Sequence, residues 1–189
     1  MKVSDRLTDT AELFLRAALH LAWRELTQRH GAPRLRLSGE ARTAAFAIVA
    51  YGKLGGLELG YSSDLDLVFL HDSQGEPAET AGPTVIENSE FFAKLARRII
   101  SIATMHTTRG PLYEVDTRLR PSGRAGLLVS SVAAFEHYQG GEAWTWEHQA
   151  LLRSRFIVGD AGVGRAFEEV RTRVLTTRVH LDRLRQDVR

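Results

Sequence analysis

Two apolar runs constrain this chain more than any other feature. Phe46-Ala47-Ile48-Val49-Ala50-Tyr51 is short, continuous and β-prone and reads as a buried strand; Leu65 to Leu70, closed by His71-Asp72, reads as a second. Stretches of helical period flank them. From Ser4 to about Gln28, Leu7, Ala11, Phe14, Leu15, Ala18 and Ala22 recur at three- and four-residue steps, with Ser4 or Asp5 available as a cap and Gly31 and Pro33 as the stop. From about Glu87 to Met105, Phe91, Leu95, Ile99 and Ile102 form one stripe. An arginine-rich connector is expected through Arg42, and a loop from Asp72 to Pro83. Leu112 to Asp116 reads as a third strand, Pro121 to Gly126 as a turn, and Leu127 to Val129 as a short fourth strand. Beyond Ser130 the pattern is helical, broken at Gly140-Gly141 and near Gly159 to Gly164. The expected fold is α/β (α+β). Its core, about residues 35–130, holds a mixed sheet of at least four strands, after a helical lead-in over 1–34 and before a helical part over 131–189. The last helix reaches Arg189 with no stop signal, as in a piece of a longer protein.

Composition serves mainly to exclude. With no cysteine there is neither a disulfide framework nor a thiolate zinc site. The longest apolar run, Ala44 to Tyr51, is far short of the roughly 20 residues of a membrane span, and the polar start is unlike a signal peptide, so a soluble cytoplasmic protein with no membrane partner is expected. A formal charge of +2 does not call for a nucleic-acid partner, and no aromatic-interleaved basic channel is visible. All but three of the 25 basic residues are arginine, which a codon bias explains as well as phosphate binding does.

The sharpest chemical feature is Gly55-Gly56, then seven residues, then Asp64-Leu65-Asp66 at the head of the second strand. Strand side chains alternate, so Asp64 and Asp66 share a face while Leu65 and Leu67 point into the core. Two carboxylates so close repel unless a hard cation such as Mg²⁺ bridges them; alone, an Asp-x-Asp is more often a solvated strand end. A glycine turn just before the pair, able to bring backbone N–H groups to an anion, shifts the balance towards a nucleotide triphosphate held beside its metals. The lysine of Gly52-Lys53-Leu54-Gly55-Gly56 precedes the paired glycines, so this is no P-loop, and there is no Gly-x-Gly-x-x-Gly. A third acid for a two-metal site is offered by Glu114 or Asp116 in Tyr113-Glu114-Val115-Asp116, and Arg118, Arg120 and Arg124 follow it, with Arg118 and Arg120 read as phosphate-binding forks. The seven histidines show no zinc spacing, and no Gly-x-Ser-x-Gly elbow makes a hydrolase of Ser62, Ser63 and His71. Trp144 and His148, one helical turn apart, are read as supporting the fold.

The runs Gly52-Lys53-Leu54-Gly55-Gly56-Leu57-Glu58-Leu59, Ser63-Asp64-Leu65-Asp66-Leu67 and Tyr113-Glu114-Val115-Asp116-Thr117-Arg118-Leu119-Arg120-Pro121-Ser122-Gly123 closely resemble the bacterial glutamine synthetase adenylyltransferase family, within the polymerase-β-like nucleotidyltransferases. The resemblance spans nearly the whole chain. It implies a polymerase-β-like core and transfer of AMP from ATP, in the presence of Mg²⁺ (two ions), to a tyrosine of glutamine synthetase. It also implies metal ligation by Asp64, Asp66 and Asp116, with Glu114 behind them. Gly55, Gly56, Ser63, Lys53, Arg118 and Arg120 are then the nucleotide-binding candidates. The family's enzymes carry two homologous halves, one attaching AMP and one removing it by phosphorolysis, and a PII-type signalling protein is an implied partner. Glu142-Ala143-Trp144-Thr145-Trp146-Glu147-His148-Gln149-Ala150-Leu151 resembles the C-terminal, attaching half. The removing half, and a nucleotide-binding regulatory module without turnover, remain the alternatives.

Overall fold

The computed structural model describes residues 2–37, 40–73, 78–108 and 110–176. Chain order is α1 (Val3–His30), β1 (Arg34–Leu37), β2 (Glu40–Thr43), β3 (Phe46–Ala50), α2 (Gly52–Gly55), β4 (Leu65–His71), α3 (Asn88–Ala103), β5 (His106–Thr107), β6 (Gly110–Pro111), β7 (Val115–Asp116), β8 (Val129–Ser131), α4 (Val132–Gly141), α5 (Thr145–Leu151), β9 (Arg155–Gly159) and α6 (Ala161–Thr176). The expected continuation of the last helix to Arg189 falls in 177–189, outside the described residues.

The main sheet is mixed, as expected, and has five strands among the described residues. β3 is antiparallel to both β4 and β9, while β7 and β8 both run parallel to β4 along its other edge, β7 beside its start and β8 beside its end. Alternation divides its side chains between two cores. Phe46, Ile48 and Ala50 of β3 with Leu65, Leu67 and Phe69 of β4 face α1 and α3, which add Ala11, Leu15, Leu26, Phe91, Leu95 and Ile99. Ala47, Val49, Val68 and Leu70 face the opposite side, closed by Phe135 of α4, Leu151 of α5 and Phe167 of α6. The helices of the first layer interlock through the edge-on contact of Trp23 with Phe91, ring centres 5.4 Å apart. Asp5 takes the Lys2 backbone N–H at 2.8 Å where α1 begins. Among the described residues no helix is long and apolar enough to cross a membrane.

Four local expectations are corrected. The arginine-rich connector holds two antiparallel strands, β1 against β2, with Leu35 buried between exposed Arg34 and Arg36 in a period of two. The third strand shrinks from Leu112–Asp116 to two residues, because the Leu112 and Tyr113 amides donate to Met105 and Ala103 at the end of α3 and Tyr113 packs on Phe14. The stretch beyond Ser130, expected to be helical, is interrupted by β9, whose Ile157 and Val158 are buried in the sheet. The short fourth strand lies two residues later than expected, at Val129–Ser131, leaving Leu127 exposed.

At the far end of β4, His71 stacks on Phe92 with ring centres 4.7 Å apart, and its Nδ1 accepts the Ser73 amide at 3.1 Å. Burial is the main cause that lowers its pKa from 6.5 to about 4, against the Asp72 charge that raises it. A depressed folded pKa means the neutral ring is the one that fits. The stability it confers should be fully present above pH 6.5 and should drain away as pH falls towards about 4. Melting curves of wild type and His71→Phe across pH 7 to 4 should therefore differ in slope, with the variant losing less; parallel curves would exclude a charging penalty at His71.

Candidate active site

Asp66 lies on β4 between Leu65 and Leu67, both of which face α1 and α3, so its side chain joins Val68 and Leu70 on the opposite face. Asp64 precedes it by two residues. β7 runs parallel to β4 in the register Leu65↔Val115, Asp66↔Asp116, and the Leu65 amide donates to the Glu114 carbonyl at 2.8 Å. In-register neighbours on parallel strands point to the same face, so the fold brings Asp116 beside Asp66 across 50 residues of sequence.

The electrostatics record this proximity. The Asp66 carboxyl is pushed above the usual carboxylate range, first by burial and then by the charges of Asp116 and Asp64, against the opposing charges of Arg118 and Lys53. Asp116 is held below that range, chiefly by its side-chain hydrogen bond with Arg118: the guanidinium Nε donates to Oδ2 at 2.6 Å, Nη2 also reaches Oδ2, and the Arg118 amide donates to Oδ1 at 2.8 Å. Asp64, Glu114, Asp116, Arg118, Arg120 and Arg124 line one open cavity of about 440 Å³. Two other hollows, of about 880 and 470 Å³, lie against α6 and α1 and contain none of the three acids. Among the described residues no three His, Asp or Glu side chains are already gathered as metal ligands. The three aspartates nonetheless supply only oxygen, the donor type a hard divalent cation takes.

The glycine turn is placed by contact with Asp66. The Tyr51 amide donates to the Asp66 carbonyl at 2.9 Å, and Gly52, at φ +56°, leaves the Asp66 carboxylate the space a Cβ would fill, 2.2 Å from Oδ2. Gly55 is glycine for packing: a Cβ there would sit 2.1 Å from the Arg153 carbonyl oxygen and 2.7 Å from that of Ala50. The Gly55 and Gly56 amides, expected to face a phosphate, donate to the Tyr51 and Gly52 carbonyls at 2.9 Å. Lys53 is exposed on the same short helix, close enough for its charge to act on Asp66. Ser63 closes the next turn, its Oγ accepting the Gly60 amide at 3.0 Å.

That helix ends in a two-bond Schellman cap, Glu58 N–H to Lys53 O at 2.7 Å and Leu57 N–H to Leu54 O at 3.3 Å. The left-handed position, normally glycine, is Leu57 at φ +60°. A left-handed non-glycine residue costs roughly 1–2 kcal/mol.

Arg120, expected to bind phosphate, has another task in this structure: Nη1 donates to Thr117 O and Oγ1 at 2.7 and 3.0 Å, Nη2 to Arg124 O at 3.2 Å, and Nε to Gly126 O at 3.3 Å. It braces the loop that carries Arg118 and Arg124 between β7 and β8. His148 supports the fold as expected, meeting the Gln139 carbonyl through Nε2 at 2.9 Å, whereas the Trp144 side chain is exposed.

Sequence reasoning missed two arginines at the start of β9. Arg155 donates to the Gly55 and Leu54 carbonyls at 3.2 Å and pairs with Glu12 of α1; Arg153 pairs with Glu58. The signal was the β-prone run Phe156-Ile157-Val158 closed by Gly159, which makes the residues before it a strand entrance.

Comparison with known proteins identifies the family. The family model described as glutamate-ammonia ligase adenylyltransferase matches residues 1–170. Proteins named bifunctional glutamine synthetase adenylyltransferase/adenylyl-removing enzyme are 56% identical over all 189 residues in Thioalkalivibrio sulfidiphilus and in Pseudomonas putida. The one from Mannheimia haemolytica is 48% identical over 188 residues. The chain spans about a fifth of the length of these relatives. A family match over nine-tenths of the chain, with the acids and the glycine turn assembled at one edge of its sheet, establishes that this chain belongs to the glutamate-ammonia ligase adenylyltransferase family.

Proposed function

We propose that this chain transfers AMP from ATP to a tyrosine hydroxyl of glutamine synthetase, releasing pyrophosphate. The observation that carries the reading is the register Asp66↔Asp116, which sets two carboxylates side by side at a sheet edge within the field of a third, Asp64. Like charges pressed together and partly buried favour a cation between them. Asp64, Asp66 and Asp116 would hold Mg²⁺, two ions in this reading, which supplies charge neutralisation and Lewis acidity to the triphosphate. The relatives are named for both an attaching and a removing activity. The resemblance of Glu142–Leu151 to the attaching half favours attachment, and a PII-type signalling protein is proposed as a regulator of the whole enzyme.

In the proposed step the tyrosine oxygen attacks the α-phosphorus. The bond from that phosphorus to the α–β bridging oxygen breaks, and pyrophosphate leaves with the bonding pair. A tyrosine hydroxyl ordinarily has a pKa near 10, so its proton must go to a base during attack. Asp116 is assigned to orient the hydroxyl and receive that proton. Arg118 is the cation best placed to exchange partners, because it is exposed and holds Asp116 from the cavity side, and a triphosphate offers the same fork acceptors as a carboxylate. Arg124 and Lys53 add positive charge around it. Arg120 contributes by keeping the 117–126 loop in shape.

The direct test mixes the chain with glutamine synthetase, Mg²⁺ and ATP labelled in the α-phosphate. Label on the synthetase supports attachment; label lost from pre-adenylylated synthetase with added phosphate, and none gained, would move the assignment to the removing half. Asp66→Asn should reduce transfer at least about 100-fold. It should keep or raise the melting temperature, since the charged form of Asp66 is disfavoured by its surroundings. Asp116→Asn should slow single-turnover transfer far more than it weakens ATP, and equal losses in both would remove Asp116 from the chemical step.

The turn gives a stability prediction with an internal control. Gly55→Ala should cost about 1–3 kcal/mol, because the added methyl meets fixed backbone oxygens. Gly140→Ala in α4, where a Cβ meets nothing within 4 Å, should be neutral or stabilising by up to about 1 kcal/mol. Denaturant titration of the two variants compares them, and equal midpoints would refute the packing account of Gly55.

A further inference from the structure

The segment between α2 and β4 combines a strained backbone with exposed apolar side chains, and nothing in the interior accounts for either. Leu57 occupies the left-handed position of the helix cap, yet its side chain is 52% exposed and so gains little from burial. Tyr61, four residues on, is 86% exposed. The segment is nevertheless firmly tied. Leu59 between them is buried in the core, Glu58 pairs with Arg153, and the turn from Gly60 to Ser63 is closed by two hydrogen bonds, Gly60 N–H to Ser63 Oγ at 3.0 Å and Ser63 N–H to Gly60 O at 3.2 Å. Held at both ends, it leads directly into Asp64. A third large apolar side chain comes from another part of the chain: Leu152, 61% exposed, precedes Arg153, the residue that pairs with Glu58.

A glycine at position 57 would make the same cap without strain, and a polar side chain would hydrate better. Backbone strain and unburied apolar surface kept together on a braced segment beside catalytic acids are the marks of a contact surface. Resting on the acceptor assignment proposed above, we infer that Leu57, with Tyr61 and Leu152, forms an apolar rim that receives the folded protein acceptor around its modified tyrosine, and thereby sets specificity for a protein rather than a small hydroxyl compound. The chemistry that fits this rim is an apolar patch on the surface of the synthetase flanking the tyrosine. Glu58 of the segment is paired with Arg153, which leaves the rim without a strong charge preference.

The experiment uses the full chain and the variants Leu57→Gly and Tyr61→Ala, reading three quantities: KM for glutamine synthetase, the dissociation constant for ATP, and melting temperature. Leu57→Gly should melt at or above the wild-type temperature and Tyr61→Ala at it. Each should raise the acceptor KM about tenfold, equivalent to ~1.4 kcal/mol, while ATP binding stays within about twofold. Unchanged acceptor KM in both variants would overturn the inference while leaving the proposed activity standing. Weakened ATP binding with unchanged acceptor KM would also overturn it and give the rim to the adenine base. Wild-type chain that transfers no label to the synthetase would overturn the activity itself, and the rim with it.

Discussion

Two residues of parallel pairing carry this structure's chemistry. β7 contributes only Val115 and Asp116 to the sheet, yet its register against Leu65 and Asp66 is what converts acids 50 residues apart into neighbours. Such a short ladder is weak by itself, and it concentrates negative charge at its own end. It holds because its surroundings offset that charge: the amide of Arg118 and its guanidinium grip Asp116, Lys53 and Arg118 act on Asp66, and Leu65 beneath the pair is fully buried. β8, which joins the same edge of β4 further along, pins the other end of the intervening loop.

The acids also answer why the sheet is layered as it is. β3 is buried on both faces and β4 is buried except near its two ends, and Asp66, the only polar residue in the first half of β4, stands half-buried at the entrance of the strand. The glycine turn follows β3 at that same end, because antiparallel pairing returns the close of β3 to the opening of β4. Gly52 can then press against Asp66 with no side chain between them. Acid pair and turn are adjacent for reasons of topology before any ligand is considered.

What the sequence made legible follows the strength of its periodic signals. α1, α3 and the two central strands were visible, since Ala11, Leu15 and Ala22, or Phe91, Leu95 and Ile99, repeat over several turns, and the runs at Phe46 and Leu65 are uninterrupted. β9 was hidden because five residues between two helices carry too little pattern to outweigh their neighbours, although Phe156-Ile157-Val158-Gly159 did announce a strand. The third strand was overdrawn because Leu112 and Tyr113 look β-prone while their amides are claimed by the end of α3. At the site, residue types were legible and their partners were not. The spacing of Asp64 and Asp66 fixes a shared face, but Arg120 turning onto Thr117, Arg124 and Gly126 depends on a loop conformation that no spacing encodes.

β9 has a further consequence, in the order of assembly. Its Arg155 holds the Leu54 and Gly55 carbonyls and reaches back to Glu12, and the Arg153 backbone fills the space beside Gly55. A chain growing from its N-terminus therefore possesses the acids, the turn and the arginine loop before it possesses the strand that locks the turn in place. Closing contacts across about 100 residues is slow compared with forming α1 or α3. The nascent protein passes through a stage in which every acid of the candidate site has been made and the site is still open on one side, and β9 ends that stage.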